Sequence, residues 1–237
     1  MYRKNLLIFI IFLAGFILNV ISVQIVSSSF KDLQGALGAS VEQISYVMSA
    51  SLIAEVIIIP FSGWLARLLS TRVLFLISIS GFIISSLGCA ISSNYFSMVL
   101  FRGLQGFFGG AMLPIMTSSI YTLFDKKKIP FILSIAATFG VSSIALGPIL
   151  GGVLTQYYDW RWMFLYNIPI GIILYVLGYF YIDLSDKEKD LFKKIDYQGI
   201  SYLAVGLISL LLFVEEGEKR DWFSSYFFLI IFSTSLL

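Results

Sequence analysis

The chain has 237 residues, of which 58% are hydrophobic and only 13% charged, with a formal net charge of +2 and a mean hydropathy of +0.91. Soluble domains carry roughly 45–50% apolar and about 25% charged residues, so this composition excludes a water-soluble globule and defines an integral membrane protein. No histidine is present and Cys89 is the single cysteine, which excludes imidazole relays, imidazole metal sites and an intrachain disulfide, and leaves carboxylates to carry any protonation chemistry.

A membrane-spanning helix needs about 20 mostly apolar residues. Such stretches predict helices at 5–26, 44–66, 73–91, 96–123, 131–155, 163–182 and 198–214, and an eighth begins near Phe223. The runs lack the alternation of barrel strands, so the expected fold is all-α. The first run is too long, and too closely followed by others, for a cleaved signal peptide. Connections are short, as in "SSNY" and "DKKKIP", until "DLSDKEKDLFKKIDYQ", which is too charged to enter lipid. The expected organisation is a six-helix unit over 1–183, a cytoplasmic linker over 184–197, and helices seven and eight over 198–237. Part of the linker either lies on the membrane surface, its lysines toward anionic headgroups, or is a solvated connector.

Orientation follows from charge. With the N-terminus inside, inner segments hold Arg3, Lys4, Arg67, Arg72, Lys126–Lys128, Lys187, Lys189, Lys193 and Lys194, against Lys31, Arg161, Lys219 and Arg220 outside. That asymmetry is what the positive-inside rule requires of a cytoplasmic N-terminus. The net charge of +2 carries no indication of nucleic-acid binding. "GFFGGAML" lies within a helix and is not followed by Lys-Ser or Lys-Thr, so it is no phosphate loop. No clustered nucleophile, base or metal ligand occurs at membrane depth, and neither an enzyme, a metal nor a cofactor is expected.

Two charges do lie within apolar runs. Arg102 sits about six residues into the fourth helix, roughly 9 Å deep, and either snorkels to the headgroups or faces a partner. Gln105, one turn on, shares its face. Glu55, in "SASLIAEVIIIP", is the only acid at membrane depth in the six-helix unit, near the midplane of a ~30 Å core. It is either a structural glutamate or an acid that gains and loses a proton as its surroundings open to each side. Gly147, Pro148, Gly151 and Gly152 predict a bent helix with a close-packed face.

Several stretches together resemble the major facilitator superfamily. "LFRGLQGFFGGAMLPI" resembles its fourth-helix motif, "LGPILGGVL" its fifth-helix antiporter motif, and "PFSGWLARLLSTRVLFL" the loop between helices two and three. "DWRWMFLYNIPIG" resembles the start of helix six in its drug:proton antiporters of the fourteen-helix branch, whose extra pair helices seven and eight would be. The resemblance implies proton coupling for Arg102, and conformational roles for Gly63, Arg67, Arg72, Gly147, Pro148, Gly151 and Gly152; Glu55, as the acid at membrane depth, is the candidate proton-coupling carboxylate. Two positions depart from it. Arg67 stands where the family loop has an aspartate, and residues 5–30 contain no acid, offering Asn19, Ser22 and Gln24 instead.

The expected function is therefore proton-coupled efflux of drugs or amphipathic organic solutes by the N-terminal part of a secondary transporter in the inner or plasma membrane. Its partners are membrane lipid, protons, a small amphipathic substrate and the missing C-terminal half. Asn19, Gln24, Gln105 and Met112 are the candidates for the cavity wall, an apolar lining that suits such solutes better than sugars. The rival readings are a half-transporter or assembly module that needs a second chain, and uptake by symport.

Overall fold

A computed structural model describes residues 2–184 together with 199, 202, 205–207, 209 and 210. Contacts divide the chain into two units, Met1–Lys187 and Glu188–Leu237. The expected linker and helices seven and eight fall almost wholly outside the described residues. The first unit is all-α among the described residues and contains six helices long and apolar enough to cross a membrane.

Span one is α1 (Tyr2–Gln24), extended by a 3-10 turn at Ile25–Ser28. Span two is α3 (Val41–Leu69), span three α4 (Thr71–Ile91) and span five α7 (Ile129–Tyr157). Between spans one and two lies a short helix that the apolar runs did not announce, α2 (Phe30–Leu37). It buries Leu33 and Leu37 and ends on Gly38, whose φ of 60° is the left-handed cap that glycine adopts without penalty. Span two then starts on a capping box, with Ser40 Oγ accepting from Gln43 N and Gln43 Oε1 accepting from Ser40 N.

Spans four and six run over Tyr95–Leu123 and Trp162–Tyr181, as the expected helices at 96–123 and 163–182 have it, and each divides into two pieces at one residue, Ala111 and Tyr166 respectively, that keeps helical φ and ψ. Span four is α5 (Tyr95–Gly110) and α6 (Met112–Leu123); span six is α8 (Trp162–Leu165) and α9 (Asn167–Tyr181). The physical cause is shared. Pro114 and Pro169 are each the third residue of the second piece, so each removes the amide that would bond back across the junction, to Gly110 and Leu165 respectively. Pro60 and Pro148, by contrast, sit inside α3 and α7 without ending them.

Six alternating crossings bring matching ends together. At one end Lys4 Nζ lies 3.1 Å from Asp183 Oδ2, Asn5 Nδ2 donates to Leu123 O (2.8 Å), and Arg72 N donates to Leu184 O (3.3 Å). At the other, Ser29 Oγ and Thr155 Oγ1 share a hydrogen bond of 2.6 Å. Core residues form two clusters, one around Phe12, Phe75 and Phe82 toward the first end, the other around Ile25, Leu33, Met98 and Phe164 toward the second. Glycines set the spacing. A methyl group on Gly106 would strike the backbone carbonyl of Ser51, so spans two and four touch main chain to main chain. Spans one and three are mostly buried in this unit, span two is mostly half-buried and span five mostly exposed.

Ser70 joins spans two and three with φ 84° and ψ 149°, a region nearly confined to glycine. It also caps α4, its Oγ accepting from Val73 N at 3.4 Å. Relief of the backbone strain is worth about 1–3 kcal/mol, while glycine in place of a serine cap costs only a few tenths. Ser70→Gly is therefore expected to raise the thermal unfolding temperature of the detergent-purified chain by roughly 2–4 °C; an unchanged or lower temperature would show that the serine cap outweighs the strain.

Candidate functional site

The interior of the six-span unit holds one connected polar network, centred on Arg102 of span four, which has 0% exposure. Its Nε donates to Val47 O (3.3 Å) and its Nη2 to Ser51 Oγ (2.9 Å), both on span two. Its Nη1 donates to Ser22 O on span one (3.1 Å) and to Gln105 Oε1 (2.7 Å). The guanidinium also lies 5.8 Å from the ring centre of Phe164. Snorkelling is thus not its role in this structure: it points inward and is held on four sides. Among the described residues no carboxylate comes within 4 Å of it, so its direct hydrogen-bond partners are all carbonyl and hydroxyl oxygens.

The network continues beyond the arginine. Gln105 Nε2 donates to Ser86 Oγ on span three (2.7 Å), and Asn167 Nδ2 of span six donates to Ser22 Oγ (3.1 Å) and Ser86 Oγ (3.3 Å). Five spans therefore meet in one set of side chains. Sequence reading found Arg102 and Gln105, and noted Ser22, but missed Ser51, Ser86 and Asn167. The available signal was Asn167, a carboxamide inside an apolar run.

Glu55 lies a turn beyond Ser51 on span two and is half-buried. Its Oε1 accepts from Asn19 Nδ2 at 3.2 Å. Gly110 packs against it closely enough that a methyl group there would meet Glu55 Cα at 2.8 Å. Arg102 and Glu55 do not pair directly; they occupy successive turns of the same contact between spans two and four, about 6 Å apart in helical rise.

The candidate cavity residues divide. Asn19, Gln105 and Met112 are buried inside the unit at 2% exposure or less. Gln24 lies beneath Gly147 at the end of span one. The open apolar cavity, about 370 Å³, is lined by Phe16, Val20, Leu113, Met116, Ala136 and others, with the Thr117 hydroxyl among them. Val20 and Leu113 are the immediate neighbours of Asn19 and Met112, and one residue is about 100° of helix rotation.

Gly147 and Gly151 seat span five on span one. A methyl group at Gly147 would meet Gln24 Cβ at 2.5 Å, and one at Gly151 would strike Ile25 O and Ser28 Oγ. Gly152, beside them, has nothing within 4 Å. Gly147→Ala should consequently lower stability by about 1–3 kcal/mol through overpacking, while Gly152→Ala should be neutral or stabilising by up to about 1 kcal/mol through helix propensity. Thermal unfolding of the two purified variants separates them, and equal effects would remove the close approach as the reason for the motif.

Near the end of span two, Gly63 and Arg67 are exposed. Arg72 donates through Nη2 to Tyr179 O at the end of span six and stacks 5.3 Å from the Tyr179 ring centre. Arg72, in the first turn of span three, is thus anchored within its own six-span unit.

Alternating spans, two proline-broken helices and a buried charged node define a polytopic transport fold. Residues 7–237 match the Major Facilitator Superfamily, and the chain belongs to it. It is 38% identical over 220 residues to the colistin resistance protein EmrB of Acinetobacter baumannii, covering 91% of this chain and 42% of that protein. It is 29% identical over 214 residues to the multidrug export protein EmrB of Escherichia coli K12, covering 90% and 42%, and 32% identical over 209 residues to the fatty acid resistance protein FarB of Neisseria gonorrhoeae, covering 88% and 41%. The chain thus spans about two fifths of the length of the curated relatives it matches. Among solved structures, the inward-open xylose transporter XylE of E. coli aligns with a TM-score of 0.62 at 16% identity, over 92% of this chain and 57% of that one. A peptide transporter, POT, aligns with a TM-score of 0.64 at 16% identity, over 94% and 47%. These likenesses show the fold.

Proposed function

We propose that this chain is the N-terminal part of a proton-coupled exporter of drugs or other amphipathic organic solutes in the inner or plasma membrane, with its N-terminus in the cytoplasm. In this reading residues 1–183 form the first six-span unit, 184–197 a cytoplasmic linker and 198–237 two further spans. The observation that carries it is the cavity between spans one, four and five, whose wall is almost wholly apolar. A sugar needs many hydrogen-bonding partners and finds few here, whereas a lipophilic solute loses little by entering. The relatives' names, which speak of multidrug export and of colistin and fatty acid resistance, agree with such a solute. Glu55 is the proton-coupling acid and Arg102 the fixed charge near it; Gly147, Pro148 and Gly151 seal spans one and five on one face of the cavity.

The test is efflux of a lipophilic cationic dye from cells that carry the complete transporter. Dye retention below that of the empty-vector control, lost on adding a protonophore, is expected. Retention above the control would make the protein an importer. The exposed face of span five also suits a half-transporter that pairs with a separate chain; a native gel in mild detergent showing this chain in a stable complex with a second polypeptide would favour that arrangement.

A further inference from the structure

Asn167 belongs to the helix-six stretch, and no part of the proposed transport reading uses it. It is fully buried, opens α9 just after the junction at Tyr166, and lies at the far edge of the polar network from Arg102. Its carboxamide touches neither the arginine nor the cavity. It holds two hydroxyls, Ser22 Oγ on span one and Ser86 Oγ on span three.

Those two serines are the supports of the arginine's own partners. Ser22 supplies the carbonyl that accepts from Arg102 Nη1. Ser86 Oγ accepts from Gln105 Nε2, anchoring the nitrogen end of the amide, while Arg102, which can only donate, takes the oxygen end. With its nitrogen turned to Ser86, its oxygen lies 2.7 Å from Arg102 Nη1. Turned the other way, an NH2 group would face the guanidinium, donor against donor. An amide is pseudo-symmetric in shape, so packing alone does not choose between the two orientations; hydrogen bonding does.

We propose that Asn167 is a positioning residue: by clamping Ser22 and Ser86 it anchors the nitrogen end of Gln105 and reinforces the orientation in which an oxygen faces Arg102, and thereby lets span six govern the arginine's electrostatic surroundings. Because Asn167 starts the second piece of a proline-broken span, a shift of α9 about that junction would release Ser86, free the Gln105 amide and change what Arg102 meets. The inference concerns the network itself; only its consequence for proton coupling rests on the transport reading.

The experiment exploits a side chain that needs no orienting. In Gln105→Glu both head-group atoms are oxygens, so an acceptor faces Arg102 whichever way the group turns. Asn167→Ala is introduced into the parent chain and into Gln105→Glu, and thermal unfolding is followed in mild detergent. In the parent, Asn167→Ala is expected to lower the unfolding temperature by about 5 °C, the loss of two buried hydrogen bonds and of the Gln105 orientation. In Gln105→Glu the drop should shrink to half of that or less. Equal drops in both backgrounds would mean that Asn167 only packs, and no drop in the parent would mean that it holds nothing; either result overturns the proposal. If Asn167→Ala does not insert, Asn167→Ser, which keeps one polar atom, is compared across the same two backgrounds with the same criterion. The readout is independent of transport, so failure of the exporter assignment would leave it unaffected.

Discussion

Lysine at position 102 is expected to destabilise the protein more than methionine does, although lysine keeps the charge. Arg102 makes four hydrogen bonds in three directions from one planar fork. A lysine ammonium has three donors on one atom and cannot reach Val47 O, Ser51 Oγ and Gln105 Oε1 together. The buried charge would persist with part of its compensation gone, a cost of about 3–5 kcal/mol by analogy with broken buried pairs. Methionine removes the charge along with the bonds. Of the acceptors it strands, Val47 O and Ser22 O lie in helices and Ser51 Oγ still donates to Met48 O (3.0 Å), leaving Gln105 Oε1 unpartnered, so the loss should stay near 1–2 kcal/mol. In thermal unfolding of the purified chain, Arg102→Lys should fall on the order of 10 °C below the parent and Arg102→Met only a few degrees. In the complete transporter both should abolish efflux. A lysine variant as stable as the parent would show that charge, rather than the geometry of the fork, is what the network needs.

Glu55→Gln is expected to eliminate proton release on substrate addition while leaving substrate binding intact. Glutamine matches the glutamate in length and can still accept from Asn19 Nδ2, the bond that holds Oε1 in place, so the fold and the cavity should be unchanged. Only the titrating proton is lost. Glu55→Asp keeps an acid but is one methylene shorter, which stretches a contact already at 3.2 Å; partial coupling with an altered pH profile is the expected outcome. Proton release by purified complete transporter is measured in weakly buffered detergent solution at neutral and at alkaline pH. If Glu55→Gln releases protons as the parent does, Glu55 is structural, and the coupling acid lies outside the six-span unit.

Much of this molecule can be read from its amino-acid order because lipid is an unforgiving solvent. Long apolar runs located all six described spans, and a charge or carboxamide within such a run marked Arg102, Gln105, Glu55 and Asn19. Serine defeated the same approach. Ser85 Oγ satisfies itself on Gly81 O within its own helix, whereas Ser86, its neighbour in sequence, joins spans four and six. Nothing local distinguishes the two; only rotation about the helix axis does. The two broken spans were hidden for a different reason: apolar length does not register a missing backbone bond, and prolines occur in both broken and unbroken helices here. Which side of each helix faces the cavity is likewise a matter of rotation: Asn19 and Met112 turn inward, and their apolar neighbours Val20 and Leu113 face the open space.

The lone thiol at Cys89 is wholly enclosed, at 0% exposure. Spectroscopists normally strip a transporter of its native cysteines before attaching probes, at some cost to folding. Here a maleimide or nitroxide reagent should react with an engineered surface cysteine at Gly63 or Gly152, both free of close neighbours, long before it reaches the native one. Paired labels on spans two and five would then report their separation as substrate is added.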